Sequence, residues 1–337
     1  MQAGIVSKGY PVQVKKSSTP SWIGRVGAGA AGSCRRHLRL FRGGAGSRVT
    51  APTGQECDMS IVRIHHLNCG TMCPFCQRLM NDRGGSWTEP GKLVCHCLLI
   101  ETPDMLVMVD TGMGTHDIAN PRRRLGGVQP PLFKPKLLLE ETALHQVRAL
   151  GHDPRDVRHI IPTHLDGDHA GGLSDFPEAR VHVLPAELRQ ITHPDWRERQ
   201  RFQAAQFAHG PHWVVHDQGG GEDWFGFEGI RAIPGLGTDV LIIPLIGHTR
   251  GHVGVAVRDG DKWLLHCGDA YYHHSQMTAK PDVPGGLAFF QKMIAAIPGE
   301  RVRNLDRLQR LALERRGDIE LFCAHCPVEL ARYGVAV

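Results

Sequence analysis

The first 58 positions show neither the alternation of a strand nor the spacing of an amphipathic helix, and from Met59 onward both patterns appear. Ser60–His66 alternates toward Leu67 and predicts a first strand. Val94–Glu101 and Met105–Asp110 are short apolar runs parted by the turn signal Thr102-Pro103-Asp104, and predict a hairpin. Lys136–Leu150 places apolar residues at helical spacing and stops at Gly151. His159–Pro162 and Arg180–Leu184 read as buried strands, the second after a break at Phe176-Pro177. Residues 186–210 are polar with helical character and carry Trp196, Phe202 and Phe207. Val240–Leu245, Val253–Val257 and Trp263–His266 read as strands, Leu287–Ile297 and Arg301–Arg316 as helices, and Ile319–Cys323 as a late strand. Two runs of strands, with helices between and after them, predict a layered α/β sandwich. No sequence repeat is visible.

Composition sharpens this picture. A chain of 337 residues that is 41% hydrophobic can bury a substantial core. No run approaches eighteen apolar residues, so no membrane span and no membrane partner are expected. The formal net charge of +5 is misleading, because residues 1–55 hold nine Lys and Arg and no acid, leaving the remainder at −4. A mildly acidic body argues against a nucleic-acid partner, which needs a basic surface. The Gly-, Ser- and Arg-rich start cannot bury enough apolar surface to offset the entropy of ordering it. Residues 1–58 are therefore expected to be a disordered basic extension, ahead of a natural start at Met59, and 59–337 the folded domain. A basic, acid-free start also suits an organelle transit peptide, the less favoured reading. The ten cysteines have irregular spacing in a chain too long to need disulfides. They are read as reduced, and the protein as cytoplasmic.

The strongest chemical signal is Thr163-His164-Leu165-Asp166-Gly167-Asp168-His169-Ala170-Gly171-Gly172, directly after an apolar strand. In extended chain His164 and Asp166 share a side. Asp168 and His169 can then turn toward a second cation as the chain bends. A lone histidine is usually a core or surface residue; two His and two Asp within six positions point to metal ligation.

This segment resembles the H-x-H-x-D-H signature of the metallo-β-lactamase superfamily. Further motifs follow in that family's order: Val109-Asp110-Thr111-Gly112, Gly247-His248-Thr249-Arg250-Gly251-His252, Cys267-Gly268-Asp269-Ala270, and Cys323-Ala324-His325-Cys326. The resemblance spans about residues 60–330. It implies an αββα sandwich with a two-metal site at one edge of the paired sheets. His164, Asp166 and His248 would hold the first ion, Asp168, His169 and His325 the second, and Asp269 would bridge them. Asp110 would orient a ligand loop, and His252 would support its own loop without binding metal.

Two departures stand out. The family usually has histidine where Asp166 stands; a carboxylate shifts preference from zinc toward iron or manganese, weakens the first metal position, or misses the metal and leaves one ion. Cys326 stands where aspartate often follows the last histidine, which puts one supporting hydrogen bond in doubt. Zinc is the first expectation for the two divalent ions.

Such a centre activates water for attack on an acyl carbon, with Asp168 or Asp269 relaying a proton. Tyr272, three residues past Asp269, matches the tyrosine of relatives that open acyl-homoserine lactones, where its hydroxyl donates to the developing oxyanion. The competing reading is a core aromatic. The leading expectation is hydrolysis of a small ester-type substrate, lactone before thioester. An iron oxidoreductase or a phosphodiesterase is the alternative, and oligomeric state is open. Weaker candidates are Cys73-Pro74-Phe75-Cys76 as a redox or zinc pair, Cys95-His96-Cys97, which reads as strand packing, and Trp196, Phe202, Phe207 and Trp213 as a substrate lid or a satellite core.

Overall fold

The computed structural model describes residues 61–127, 129–217, 219–231 and 239–336, so the expected N-terminal extension lies outside the described residues. Among the described residues, twelve strands form two six-stranded sheets. The first runs in order β1 (Arg63–Met72), β2 (Leu93–Glu101), β3 (Leu106–Val109), β4 (Val157–Ile161), β5 (Arg180–Val183) and β6 (His212–Val215). The second contains β7 (Glu222–Trp224), β8 (Phe227–Arg231), β9 (Val240–Pro244), β10 (Val253–Asp259), β11 (Lys262–His266) and β12 (Ile319–Phe322), with β12 and β7 at its edges. The expected hairpin is present, β2 and β3 pairing antiparallel with Leu98 opposite Val109. The β3–β4 and β11–β12 pairs are parallel.

Strand alternation explains the layers. Leu98, Ile100, Val107 and Val109 face Val240, Ile242, Val253, Val255 and Val257 across the sandwich in one apolar cluster. Their neighbours Leu99, Met108, Leu241, Ile243 and Ala256 point outward. Those outer faces are covered by helices. Ala143 and Val147 of α1 (Ala143–Ala149) pack on the first sheet, followed in the chain by α2 (Gly167–Ala170), α3 (Pro185–Thr192), α4 (Trp196–Arg201) and α5 (Gly285–Ile294). Leu308 and Leu311 of α6 (Pro298–Glu314) cover the second sheet. The order helix, sheet, sheet, helix is the αββα sandwich.

Local chemistry corrects several boundaries. The Lys136–Leu150 helix is confined to α1, because Lys134 and Leu137 take positive φ and Thr142 caps the helix by accepting from the His145 amide. The 186–210 segment splits into α3 and α4 at Pro194, which lacks an amide hydrogen and bars helical backbone before it. Asp195 then caps α4 in a reciprocal pairing with Glu198. The aromatic group forms no lid: Phe202 and Trp213 are buried in the core under the first sheet, Phe207 packs on it, and Trp196 is exposed. Cys76 is buried and Cys73 half-buried, and the cysteines among the described residues are free. No helix among the described residues is long and apolar enough to cross a membrane.

Candidate metal centre

The motif residues all follow the carboxyl ends of strands: Asp110 after β3, the His164–His169 segment after β4, His248 after β9, Asp269 after β11 and His325 after β12. Parallel strands bring these ends to one rim of the sandwich, where α/β sheets commonly place their sites. Asp166 is extended and precedes α2, whose single turn carries Asp168 and His169 and brings the His169 ring to 3.9 Å, centroid to centroid, from that of His164. Gly268, at φ +50°, permits the turn into Asp269; a Cβ there would sit 2.6 Å from His252 Nε2.

At this rim the described residues form three clusters of potential ligand atoms, each with all members within 4.8 Å of one another. His169, His325 and Asp269 form one and His164, His248 and Asp269 another, so Asp269 belongs to both. Its Oδ1 lies 3.3 Å from His169 Nε2 and 3.1 Å from His325 Nε2, and its Oδ2 lies 3.2 Å from His248 Nε2 and 3.8 Å from His164 Nε2. The third cluster joins Asp168 and His325 to Cys95. Asp168 Oδ2 is 3.6 Å from His325 Nε2 and 3.9 Å from His169 Nε2.

The hydrogen-bond network fixes which nitrogens are bare. His169 Nδ1 donates to Asp110 Oδ2 at 2.8 Å, and His325 Nδ1 donates to the Val94 carbonyl at 2.7 Å. In its neutral, metal-binding form each ring so bonded would turn an unprotonated Nε2 inward, and the two Nε2 atoms lie 3.2 Å apart. Burial alone would lower His169, but without a bound cation the carboxylates of Asp269, Asp110 and Asp168 hold it well above its ordinary range. Asp269 Oδ1, facing both, is buried without a hydrogen-bond partner. Two ring nitrogens and a carboxylate oxygen aimed at one point suit a cation. Burial alone would raise the Asp269 carboxyl, but the imidazoles of His325, His169, His248 and His164 hold it well below the usual carboxylate range.

Supporting contacts agree with two expectations. Asp110, at φ +56°, accepts from the Thr163 amide and hydroxyl as well as from His169. His252 donates from Nδ1 to the Leu245 carbonyl and accepts the Asp269 amide at Nε2, so both its nitrogens are spent on its loops. The hydrogen bond in doubt at Cys326 is supplied to His325 by the Val94 carbonyl, while Cys326 Sγ faces His274 Nδ1 at 3.5 Å. Tyr272 is buried beside the centre; its hydroxyl donates to Asp269 Oδ2 at 2.5 Å and lies 3.4 Å from His248 Nδ1. Burial, then the Asp269 carboxylate, push its phenol well above the ordinary range and keep it protonated. A cavity of about 550 Å³, lined in part by Met80, Leu93, Pro284 and Val328, adjoins the centre at Tyr272.

The sequence reading missed three residues. Arg201 of α4 donates from Nε to Asp166 Oδ1 at 2.6 Å, and from Nη2 to Asp166 Oδ2 at 2.5 Å and His248 Nε2 at 2.6 Å. Burial and then this guanidinium lower His248 to a pKa of about 3. Glu187 is buried and accepts the Leu165 and Gly251 amides and the Thr249 hydroxyl, tying the His164 segment to the His248 loop. Cys95 sits inside the third cluster although its strand pattern reads as packing. A polar helix with Arg197, Arg199 and Arg201 gives no sign of which arginine turns inward, and Glu187 resembles any exposed helix-start acid.

Comparison with known proteins agrees with the geometry. Residues 90–312 match the family model described as Metallo-beta-lactamase superfamily. A probable metallo-hydrolase of Mycobacterium tuberculosis is 42% identical over 274 residues, covering 80% of this chain and 83% of its own. The N-acyl homoserine lactonase AttM of Rhizobium johnstonii is 30% identical over 268 residues, covering 77% and 91%. In structure, the AiiA protein of Bacillus thuringiensis with N-decanoyl-L-homoserine at its active site matches with a TM-score of 0.62 at 19% identity, covering 83% and 98%. Ordered motifs, an αββα sandwich and these matches together show that the chain belongs to the metallo-beta-lactamase superfamily, among its metallo-hydrolases.

Proposed function

We propose that the protein is a metal-dependent hydrolase that opens the ring of small lactones, with acyl homoserine lactones as the first class to test. The observation that carries this reading is the convergence of the inward-facing Nε2 atoms of His169 and His325 on the oxygen of Asp269 that has no hydrogen-bond partner. In this reading His169, His325, Asp269 and Asp168 hold a divalent ion, zinc before iron or manganese. His164, Asp166 and His248, with the other oxygen of Asp269, line a second seat of positive charge. The preference for lactones is supported by the relatives named N-acyl homoserine lactonases and by the tyrosine beside the centre.

A divalent ion held by His169, His325, Asp269 and Asp168 would supply a water acidified toward neutrality and a polarised substrate carbonyl. Asp168, the most exposed of the four side chains at 17%, takes the proton of the attacking water. The same group returns it to the ring oxygen as the acyl C–O bond breaks, giving a hydroxy acid. Tyr272, held protonated, donates to the oxygen that becomes negative during attack. The adjoining cavity has room for an acyl chain.

The test is a panel of lactones, thioesters, phosphodiesters and β-lactams given to purified, metal-analysed protein. Lactones should turn over fastest, with activity lost on chelation and restored by zinc. A metal-loaded protein that leaves every lactone intact while cleaving another class would overturn the lactone reading.

A further inference from the structure

The two cation seats at Asp269 are not equivalent. Around His169 and His325 the ligand atoms are free to meet an ion. Around His164 and His248 they are largely spent. Tyr272 donates its proton to Asp269 Oδ2, so its oxygen is left to accept from His248 Nδ1 at 3.4 Å. His248 therefore turns an unprotonated Nε2 toward Arg201, which has only hydrogens to offer, and the ring's single in-plane lone pair there receives Nη2. Both oxygens of Asp166 are taken by the same guanidinium in a two-pronged pair.

Arg201 is itself firmly held. Its Nη1 donates to the carbonyls of His248 and Ile294 at 3.2 and 3.0 Å, so all five N–H groups have acceptors. Its side chain is only 15% exposed. The helix that carries it is clamped to the His248 loop, since Arg250 donates to Glu198 Oε1 at 2.7 Å; the Arg250 amide ties the preceding helix α3 to the same loop through Gln190 Oε1 at 3.0 Å. A guanidinium stays charged at any working pH. A divalent ion ligated by His248 Nε2 and Asp166 Oδ2 would have to displace it from both atoms and then sit beside it as a like charge.

We propose that Arg201 takes the place of the first metal ion, so that the working protein holds one divalent ion, between His169, His325, Asp269 and Asp168, and a fixed organic cation in the other seat. This rests on the metal-dependent reading above. It also explains the departure at Asp166: a carboxylate there pairs with a guanidinium in two-pronged fashion, which a histidine cannot do. Arg201 is a positioning residue in this scheme, acting through Asp166 and His248.

The test reads metal content rather than rate. Protein incubated with zinc and dialysed is assayed for ions per chain, as wild type and as Arg201→Met, with circular dichroism confirming the fold. One ion in the wild type and two in Arg201→Met are expected. X-ray absorption of the zinc-loaded wild type should show no metal–metal scattering at the ~3.5–4 Å of a paired site, and this measurement decides alone if the variant fails to fold. Two ions in the wild type, or a metal–metal vector, would overturn the proposal and leave the hydrolase reading standing. One ion in both proteins would show that Arg201 does not keep the second ion out, which also overturns it. No ion in either would remove the metal-dependent reading and this inference with it.

Discussion

At the scale of single residues, the site depends on which nitrogen of each imidazole carries its proton. Asp110 fixes His169 by accepting at Nδ1, so Asp110→Asn removes the charge that holds the ring and its tautomer. Metal affinity should fall about 10- to 100-fold, measured by competition with a chromogenic chelator. Unchanged affinity would mean that packing alone orients the ring. Tyr272→Phe removes a single hydroxyl. Turnover should fall on the order of 10²-fold with metal content unchanged, and an equal rate in the variant would return Tyr272 to a packing role. The candidate ligand types at this scale were legible, because two His and two Asp within six positions are rarely accidental. The inward turn of Arg201 was not, because helix position alone does not separate it from Arg197 and Arg199.

At the scale of elements, loops are held by buried ties. Arg124 donates from Nε to Asp117 Oδ1 at 2.6 Å and from Nη2 to the Gly171 carbonyl at 2.9 Å, securing the Gly-rich turn behind α2. Burial outweighs the guanidinium and leaves the Asp117 carboxyl raised, so losing Arg124 strands a costly acid. Arg124→Met should cost about 3–5 kcal/mol in denaturant unfolding. A loss under 1 kcal/mol would show that the tie is dispensable. The parallel strands of the first sheet carry a second device. His159 Nδ1 meets His182 Nε2, and His182 Nδ1 meets His216 Nε2, each at 2.8 Å. Burial lowers all three, His159 to about 4. Histidines with depressed folded pKa values contribute stability that is present above their unfolded value of 6.5 and lost as pH falls through the folded value. Amide protection in β4–β6, corrected for intrinsic exchange, should therefore decline between pH 6.5 and 4 more than in β9–β11. Parallel decline in both sheets would deny the histidines this role. The strands and the terminal helices were readable from period and length. The splitting of residues 186–210 was signalled by Pro194, but the helical composition on either side masked it.

At the scale of the whole molecule, the proposed ion would join segments that follow β4, β11 and β12, and so would bind only the folded chain. At a thousandfold excess over its Kd it stabilises by about 4 kcal/mol. For a domain of this size, chelation should lower Tm on the order of 10 °C, with recovery on adding zinc; a Tm indifferent to chelator would mean the ion does not bridge the sheets. By itself the sequence determined the alternation that makes two sheets, the helices that cover them, and the supply of ligand residues just past strand ends. These follow from local periodicity and residue chemistry, which neighbouring positions carry. Only the tertiary structure decided that Asp269 faces two clusters at once, that Cys95 lies among the potential ligand atoms, and that Arg201 pairs with Asp166 and His248. Those facts depend on distances between segments remote in the chain, set by sheet pairing and helix docking rather than by any local pattern.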